Sequence, residues 1–246
     1  MNAAQRTMVV GAGRGLGRGV AVAFARAGAP VVAVARTASA LTELAAQTPG
    51  IEPEVADATD PTVPGTLLDR YRPDILILVA GAAPLMRPLQ HHTWESFSAN
   101  WNADVRIAFH WLREALTTPM PPGGRVIVVS SGAAVNGSPL SGGYAGAKAT
   151  QRFITGYARD EAHRAGLDIG FTAVLPQLTP ATGLGLAAVR AYAERSGHTV
   201  EEYIERLGDP LTPAVAGDAL FDLAATDLAE MAPSYLLTAK GLTVLP

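Results

Sequence analysis

The chain has 246 residues, 48% of them hydrophobic and 17% charged, which is enough apolar matter for a large core and argues against a disordered chain. A net charge of −3 with no run of basic residues gives nucleic-acid binding no electrostatic support. The absence of cysteine excludes disulfides, thiolate metal sites and a cysteine nucleophile.

TMVV reads as a short apolar strand running into glycines. Val20, Ala23, Phe24 and Ala27 recur at helical spacing and predict a helix over 16–27. Gly28 ends it, and PVVAVA follows as the second strand. A helix over 39–47 leads to a third strand, IEPEVA, and a helix over 61–71 to a fourth, DILILVA. That last run is apolar throughout, as a parallel strand covered on both faces requires. A long helix is predicted over 93–116, with Trp94, Phe97, Trp101, Val105, Ala108 and Leu112 on one side. GRVIVVSS is the fifth strand, 144–165 a helix, DIGFTAVL the sixth strand, 212–225 a helix and SYLLTA the last strand.

This alternation predicts an α/β protein: one doubly wound parallel sheet with helices on both faces, forming a single domain over 1–246. Its one long interruption, 177–210, is expected to form a substrate lid. Ligands of such sheets bind beyond the carboxyl ends of the strands. Gly11 follows the first strand, Gly81 the fourth, Ser131 the fifth and Pro176 the sixth, so these features fall on one edge. No apolar run reaches membrane-spanning length, and the opening MNAAQRT has no apolar signal core. A cytoplasmic protein is therefore expected.

Two motifs carry chemistry. Gly11, Gly15 and Gly17 lie between a strand and a helix, where missing side chains let the backbone turn sharply and approach a pyrophosphate at the helix N-terminus. Tyr144 and Lys148, four residues apart in YAGAK, share a helix face. A free phenol titrates near about 10, and a neighbouring cation favours the phenolate. Lowering that value to about 7 takes roughly 4 kcal/mol. Ser131, thirteen residues before Tyr144, offers a hydroxyl to hold a substrate oxygen while a proton moves. His91 and His92 are adjacent, so their side chains point apart and no metal site is expected.

Together, the order and spacing of VVGAGRGLG, Ser131 and YAGAK resemble the short-chain dehydrogenase/reductase family over nearly the whole chain. The resemblance implies a Rossmann fold and an oxidoreductase interconverting a small-molecule ketone or aldehyde and an alcohol. It assigns Ser131 to orient substrate, Tyr144 to transfer the proton, and Lys148 to assist Tyr144 and hold the nicotinamide ribose. In relatives an asparagine of the preceding helix joins a proton relay, and Asp104 aligns with it. Asn102 and Asn100 differ from that helical phase by about 200° and about 40°. Either Asp104 holds the same water, its charge raising the pKa of a nearby lysine, or the substitution weakens the relay.

By the same resemblance Gly11, Arg14, Gly15, Leu16, Gly17, Arg36, Thr37, Asp57, Ala80, Gly81, Tyr144, Lys148, Pro176, Leu178 and Thr179 bind the cofactor. Ala35 stands where NAD-preferring relatives carry Asp, and Arg36 and Arg14 favour NADP(H). Asp57 matches an adenine contact, or serves only as a cap. VAGA keeps Ala80 and Gly81 of the family's NNAG segment but replaces its bracing asparagines by Leu78 and Val79. Gln177 replaces a glycine after Pro176, so Thr179 or Thr182 must supply the hydroxyl for the carboxamide. Altered positions of this kind also suit a cofactor-binding regulator with little turnover. Reduction of an activated C=C bond is disfavoured by the close spacing in YAGAK. A homo-oligomer, tetramer or dimer, is implied, paired through the 93–116 helix and the helix from Tyr144. Trp94, Trp101 and Trp111 would make the former apolar around much of its girth.

Overall fold

The computed structural model describes residues 5–118 and 120–246; residues 1–4 of the MNAAQRT segment and Pro119 lie outside them. Strand β1 (Thr7–Val10) leads to helix α1 (Gly15–Arg26), β2 (Val31–Ala35) to α2 (Ala38–Gln47), and β3 (Ile51–Val55) to α3 (Val63–Tyr71). Strand β4 (Ile75–Leu78) is followed by α4 (Trp94–Asn100), a π-helical turn (Trp101–Val105) and α5 (Arg106–Thr117). Then come β5 (Gly124–Val129), short α6 (Ala133–Asn136), α7 (Tyr144–Arg164) and β6 (Ile169–Pro176). The chain ends with α8 (Gly183–Ser196), α9 (Val200–Leu207), α10 (Pro213–Ala225), β7 (Ser234–Thr238) and β8 (Gly241–Val244).

Among the described residues the strands form one sheet in the order β3-β2-β1-β4-β5-β6-β7-β8. β1 to β7 are parallel, with Thr7 beside both Val31 and Ile75. The order reverses at β1, between β2 and β4, so the crevice at a switch point opens where the glycine loop leaves β1. One apolar cluster on each face buries the alternate residues of β1: Val9 with Phe24 and Leu220 on one side, Met8 and Val10 with Trp111 and Phe171 on the other. This explains the unbroken apolar runs of the central strands.

Two sequence expectations change, and one segment gains detail. SYLLTA is not the last strand: β8 returns antiparallel to β7 through a tight turn closed at Gly241, whose φ of +104° suits glycine. The 177–210 segment contains two helices, capped by Thr182 and Thr199. The 93–116 helix is not uniform, because the π turn interrupts it and its apolar stripe is misphased. Trp94 is 78% exposed and Trp101 is exposed too, while Asn100 and Asp104 are buried instead. Only from Ile107 onward does the apolar face turn inward, with Trp111 donating to the Ala58 carbonyl at 3.2 Å. Polar residues face inward in the first half because backbone and lysine partners await them there.

Candidate active site

The glycine loop joins β1 to α1 in a space that side chains could not share. A Cβ on Gly11 would lie 2.5 Å from the Ala80 nitrogen, and its φ is +98°. One on Gly17 would lie 2.2 Å from the Gly11 carbonyl oxygen. Arg14 at the N-cap makes no side-chain cap, and no acidic residue occupies the first turn. The first amides of α1 and the positive end of its dipole are thus left for an anion, and the residues fit a pyrophosphate. Leu16 is half-buried against the core, and Thr182 lies against Gly15.

Across β4, the Ala80–Ala82 segment meets the π turn. Asp104 is fully buried, and one carboxylate oxygen accepts from the Ala82 N–H at 2.7 Å. Asn100 donates to the Ala82 carbonyl at 2.7 Å. These two side chains brace the strand end where Leu78 and Val79 cannot. A Cβ on Gly81 would lie 2.9 Å from both Asp104 carboxylate oxygens, so the glycine makes room for that carboxylate.

The other Asp104 oxygen faces the Lys148 ammonium at 3.2 Å, and Lys148 is only 4% exposed. Burial pulls the ammonium toward its neutral form, but the charges of Asp104 and Tyr144 outweigh it, and the Lys148 pKa is raised above its usual value. The ammonium lies 5.6 Å from the centroid of the Tyr144 ring, as the four-residue helical spacing requires. Ser130, buried at the end of β5, donates to the Lys148 carbonyl at 2.7 Å. Strand alternation separates it from Ser131, which is half-buried and accepts from the Ala133 N–H at 3.2 Å. No hydrogen bond joins Ser131 to Tyr144 among the described residues.

Tyr144 opens α7, and its place is set by the preceding loop. A Cβ on Gly143 would meet the Phe97 carbonyl oxygen at 2.3 Å, and one on Gly142 the His92 ring at 2.8 Å. The His92 ring is held by Ser96 and by the Arg87 carbonyl, each at 3.1 Å. The loop therefore seats tightly on the start of α4.

The remaining candidates lie around this centre. Arg36 and Thr37 are exposed at the end of β2, as is Arg14 in the loop. Asp57 accepts from the amide and hydroxyl of Thr59, at 2.9 and 2.8 Å, forming its own turn. Those bonds hold its carboxyl below the usual range, with a smaller contribution from Arg36. Pro176 ends β6 and Leu178 is half-buried beyond it. The hydroxyls proposed for the carboxamide are engaged internally. Thr179 donates to the Gln177 carbonyl at 3.0 Å, and Thr182 caps α8 through the Gly185 N–H at 3.0 Å.

Sequence reasoning did not give several residues the roles they take. Gln151, 2% exposed, accepts from the Lys148 ammonium at 2.9 Å and donates to the Asp104 carbonyl at 2.8 Å; its position three residues after Lys148 was the only available signal. Ser130 supports Lys148 rather than substrate, and Asn100, only about 40° from the relay phase, braces Ala82 instead. Tyr192 of α8 bonds Ser138, tying the 177–210 segment to the loop before Tyr144. Among the described residues no cluster of His, Cys, Asp and Glu could hold a metal, and no helix is long and apolar enough to cross a membrane.

Known proteins resemble this chain in sequence and fold. Actinorhodin polyketide ketoreductase, in a variant solved with NADPH, superposes with a TM-score of 0.80 over 97% of each chain at 18% identity, a likeness of fold. L-xylulose reductase from Mus musculus is 33% identical over 104 residues, 42% of this chain and 43% of that protein. Carbonyl reductase (NADPH) 2 from Sus scrofa is 35% identical over the same length and shares. These matches span less than half of either relative. A sequence profile described as short chain dehydrogenase matches residues 5–193, and on that match the chain belongs to the short chain dehydrogenase family.

Proposed function

We propose that the protein reduces a small ketone or aldehyde to an alcohol with NADPH. The observation that carries this reading is the buried Lys148 ammonium beside the Tyr144 ring, on the sheet edge where the glycine loop opens. The cofactor, when bound, supplies the hydride. Gly11, Gly15 and Gly17 expose the backbone to its pyrophosphate, and Leu16 lies in the first turn of the helix beneath it. Arg36, Arg14 and Thr37 take the 2′-phosphate, and Lys148 donates to the nicotinamide ribose. Asp57, Ala80, Gly81, Pro176, Leu178 and Thr179 line the remainder. Ser131 orients the substrate oxygen and Tyr144 delivers its proton. In this reading 1–246 is one cytoplasmic domain, and 177–210 is the substrate lid, with partly apolar substrates suited by Leu178 and Leu184. A panel of carbonyl substrates followed by NADPH absorbance tests it; no oxidation with any of them overturns it.

A second reading, a cofactor-binding regulator with little turnover, draws on the Asp104 carboxylate, which offsets the charge that Lys148 presents to Tyr144. Single-turnover hydride transfer separates the two.

Arg36 should carry most of the preference for NADPH. A guanidinium grips a phosphate through two parallel hydrogen bonds, and NADH has no such phosphate. Arg36→Ala should weaken NADPH binding by roughly 2 kcal/mol, about thirtyfold, and barely change NADH binding. Ala35→Asp combined with Arg36→Ala should tilt the protein toward NADH. Equal affinity of the wild type for both cofactors, by titration, would overturn this assignment.

A homo-oligomer belongs to the same reading. Trp101, Val105, Phe109 and Ile154, with Asn102 and Arg106, line a groove of about 350 Å³ beside α7, and Phe153 and Tyr157 are exposed on α7 as well. Such an apolar surface fits a second copy of the chain. Light scattering should give a dimer or tetramer at micromolar concentration; a particle of 25.5 kDa would contradict it.

A further inference from the structure

An ammonium has three N–H donors. In Lys148 one donates to the Gln151 side-chain oxygen at 2.9 Å, while the Asp104 carboxylate pairs with the ammonium's charge at 3.2 Å. A donor remains for the crevice. Gln151 also uses its nitrogen, donating to the Asp104 main-chain carbonyl at 2.8 Å. It thereby ties α7 to the π turn that presents the Asp104 carboxylate. Lys148, Asp104 and Gln151 are 4%, 0% and 2% exposed, so water does not substitute for a lost partner at no cost.

We propose that Gln151 is a positioning residue: with Asp104 it holds the Lys148 ammonium in a dry cradle and thereby aims the remaining N–H at the cofactor ribose. Asp104 alone fixes a charge but not a direction, because an ammonium on four methylenes pivots about a single ion pair. The Gln151 oxygen supplies a second fixed point, and its nitrogen locks the amide so that the oxygen, not the nitrogen, faces Lys148. The Lys148 backbone, from which the stem projects, is held by the Ser130 hydroxyl donating to its carbonyl. Gln151 touches neither substrate nor cofactor; it acts through Lys148.

This inference rests on the reading of Lys148 as a cofactor ligand, and the test separates the two. NADPH binding is titrated by fluorescence for the wild type, Gln151→Met, Lys148→Met and the double variant, with thermal unfolding beside each. Methionine keeps the volume and apolar stem of glutamine but removes both hydrogen bonds. Gln151→Met should weaken NADPH binding about tenfold, the scale of one hydrogen bond, and lower kcat while leaving the KM for the carbonyl substrate near its wild-type value. In the Lys148→Met background it should change NADPH binding by less than about twofold, because the effect passes through the ammonium. An equal loss in both backgrounds would show a general structural role and overturn the proposal. So would unchanged binding in Gln151→Met when Lys148→Met alone weakens it. If Lys148→Met leaves NADPH binding intact, the reading of Lys148 fails and the proposal with it. Gln151→Leu, which also removes both hydrogen bonds with a shorter apolar side chain, guards against a methionine variant that fails to fold. It should weaken NADPH binding about tenfold as well, and binding within about twofold of the wild type there would count against the proposal.

Discussion

Tyr144→Phe should reduce kcat at least a hundredfold, on the order of the contribution of a positioned acid, while NADPH binding stays nearly intact. The ring is buried at the start of α7, where the loop carrying Gly142 and Gly143 leaves it little freedom to move. The substitution preserves that packing and removes only the hydroxyl. Steady-state kinetics at neutral pH with cofactor titration test this. A variant retaining more than a tenth of wild-type kcat would mean that another group supplies the proton. Ser131→Ala should cost about a hundredfold on the same scale, since its hydroxyl orients the substrate oxygen in this reading. Ser130, despite its adjacency, buttresses the Lys148 backbone instead.

The largest stability effect should come from Asp104→Ala, which leaves the buried Lys148 ammonium without its counter-ion. Breaking a buried pair from one side typically costs about 3–5 kcal/mol. Asp104→Asn should cost less but not nothing: the site needs two acceptors, toward the Ala82 N–H and Lys148, and an amide offers one acceptor and one donor. Urea unfolding measures both, and a loss below about 1 kcal/mol for Asp104→Ala would mean that water reaches the ammonium. The pH dependence should also invert. In the wild type the Lys148 pKa is raised, so the pair's contribution is fully present below the unfolded value of about 10.4 and is lost only as pH rises through the higher folded value. Between pH 6 and 9 it adds no slope. Without Asp104, burial dominates and depresses the folded value. The unfolded chain then binds more protons, and stability should rise with pH over that window.

Most elements of the fold were legible because they are local. Apolar runs bounded by glycine mark β1, β2, β4, β5 and β6, and Val20, Phe24 and Gly28 mark a helix and its end. The Tyr144–Lys148 pairing was legible for the same reason, since four residues make one helical turn whatever lies around it. What failed was any inference that needed a neighbour from elsewhere in the chain. The aromatics of 93–116 share one side of the predicted helix, but which side meets the core is decided by Asn100 and Asp104, which face inward because the Ala82 backbone and Lys148 satisfy them, so Trp94 and Trp101 turn outward. The π turn that produces this phase has no periodic signature. Gln151 looked like an ordinary polar residue of α7, and only tertiary packing gave it two buried partners. Sequence spacing determined which groups could share a face. Burial determined which polar groups had to find partners, because an unpaired polar group in a dry interior costs more than local propensity can offset.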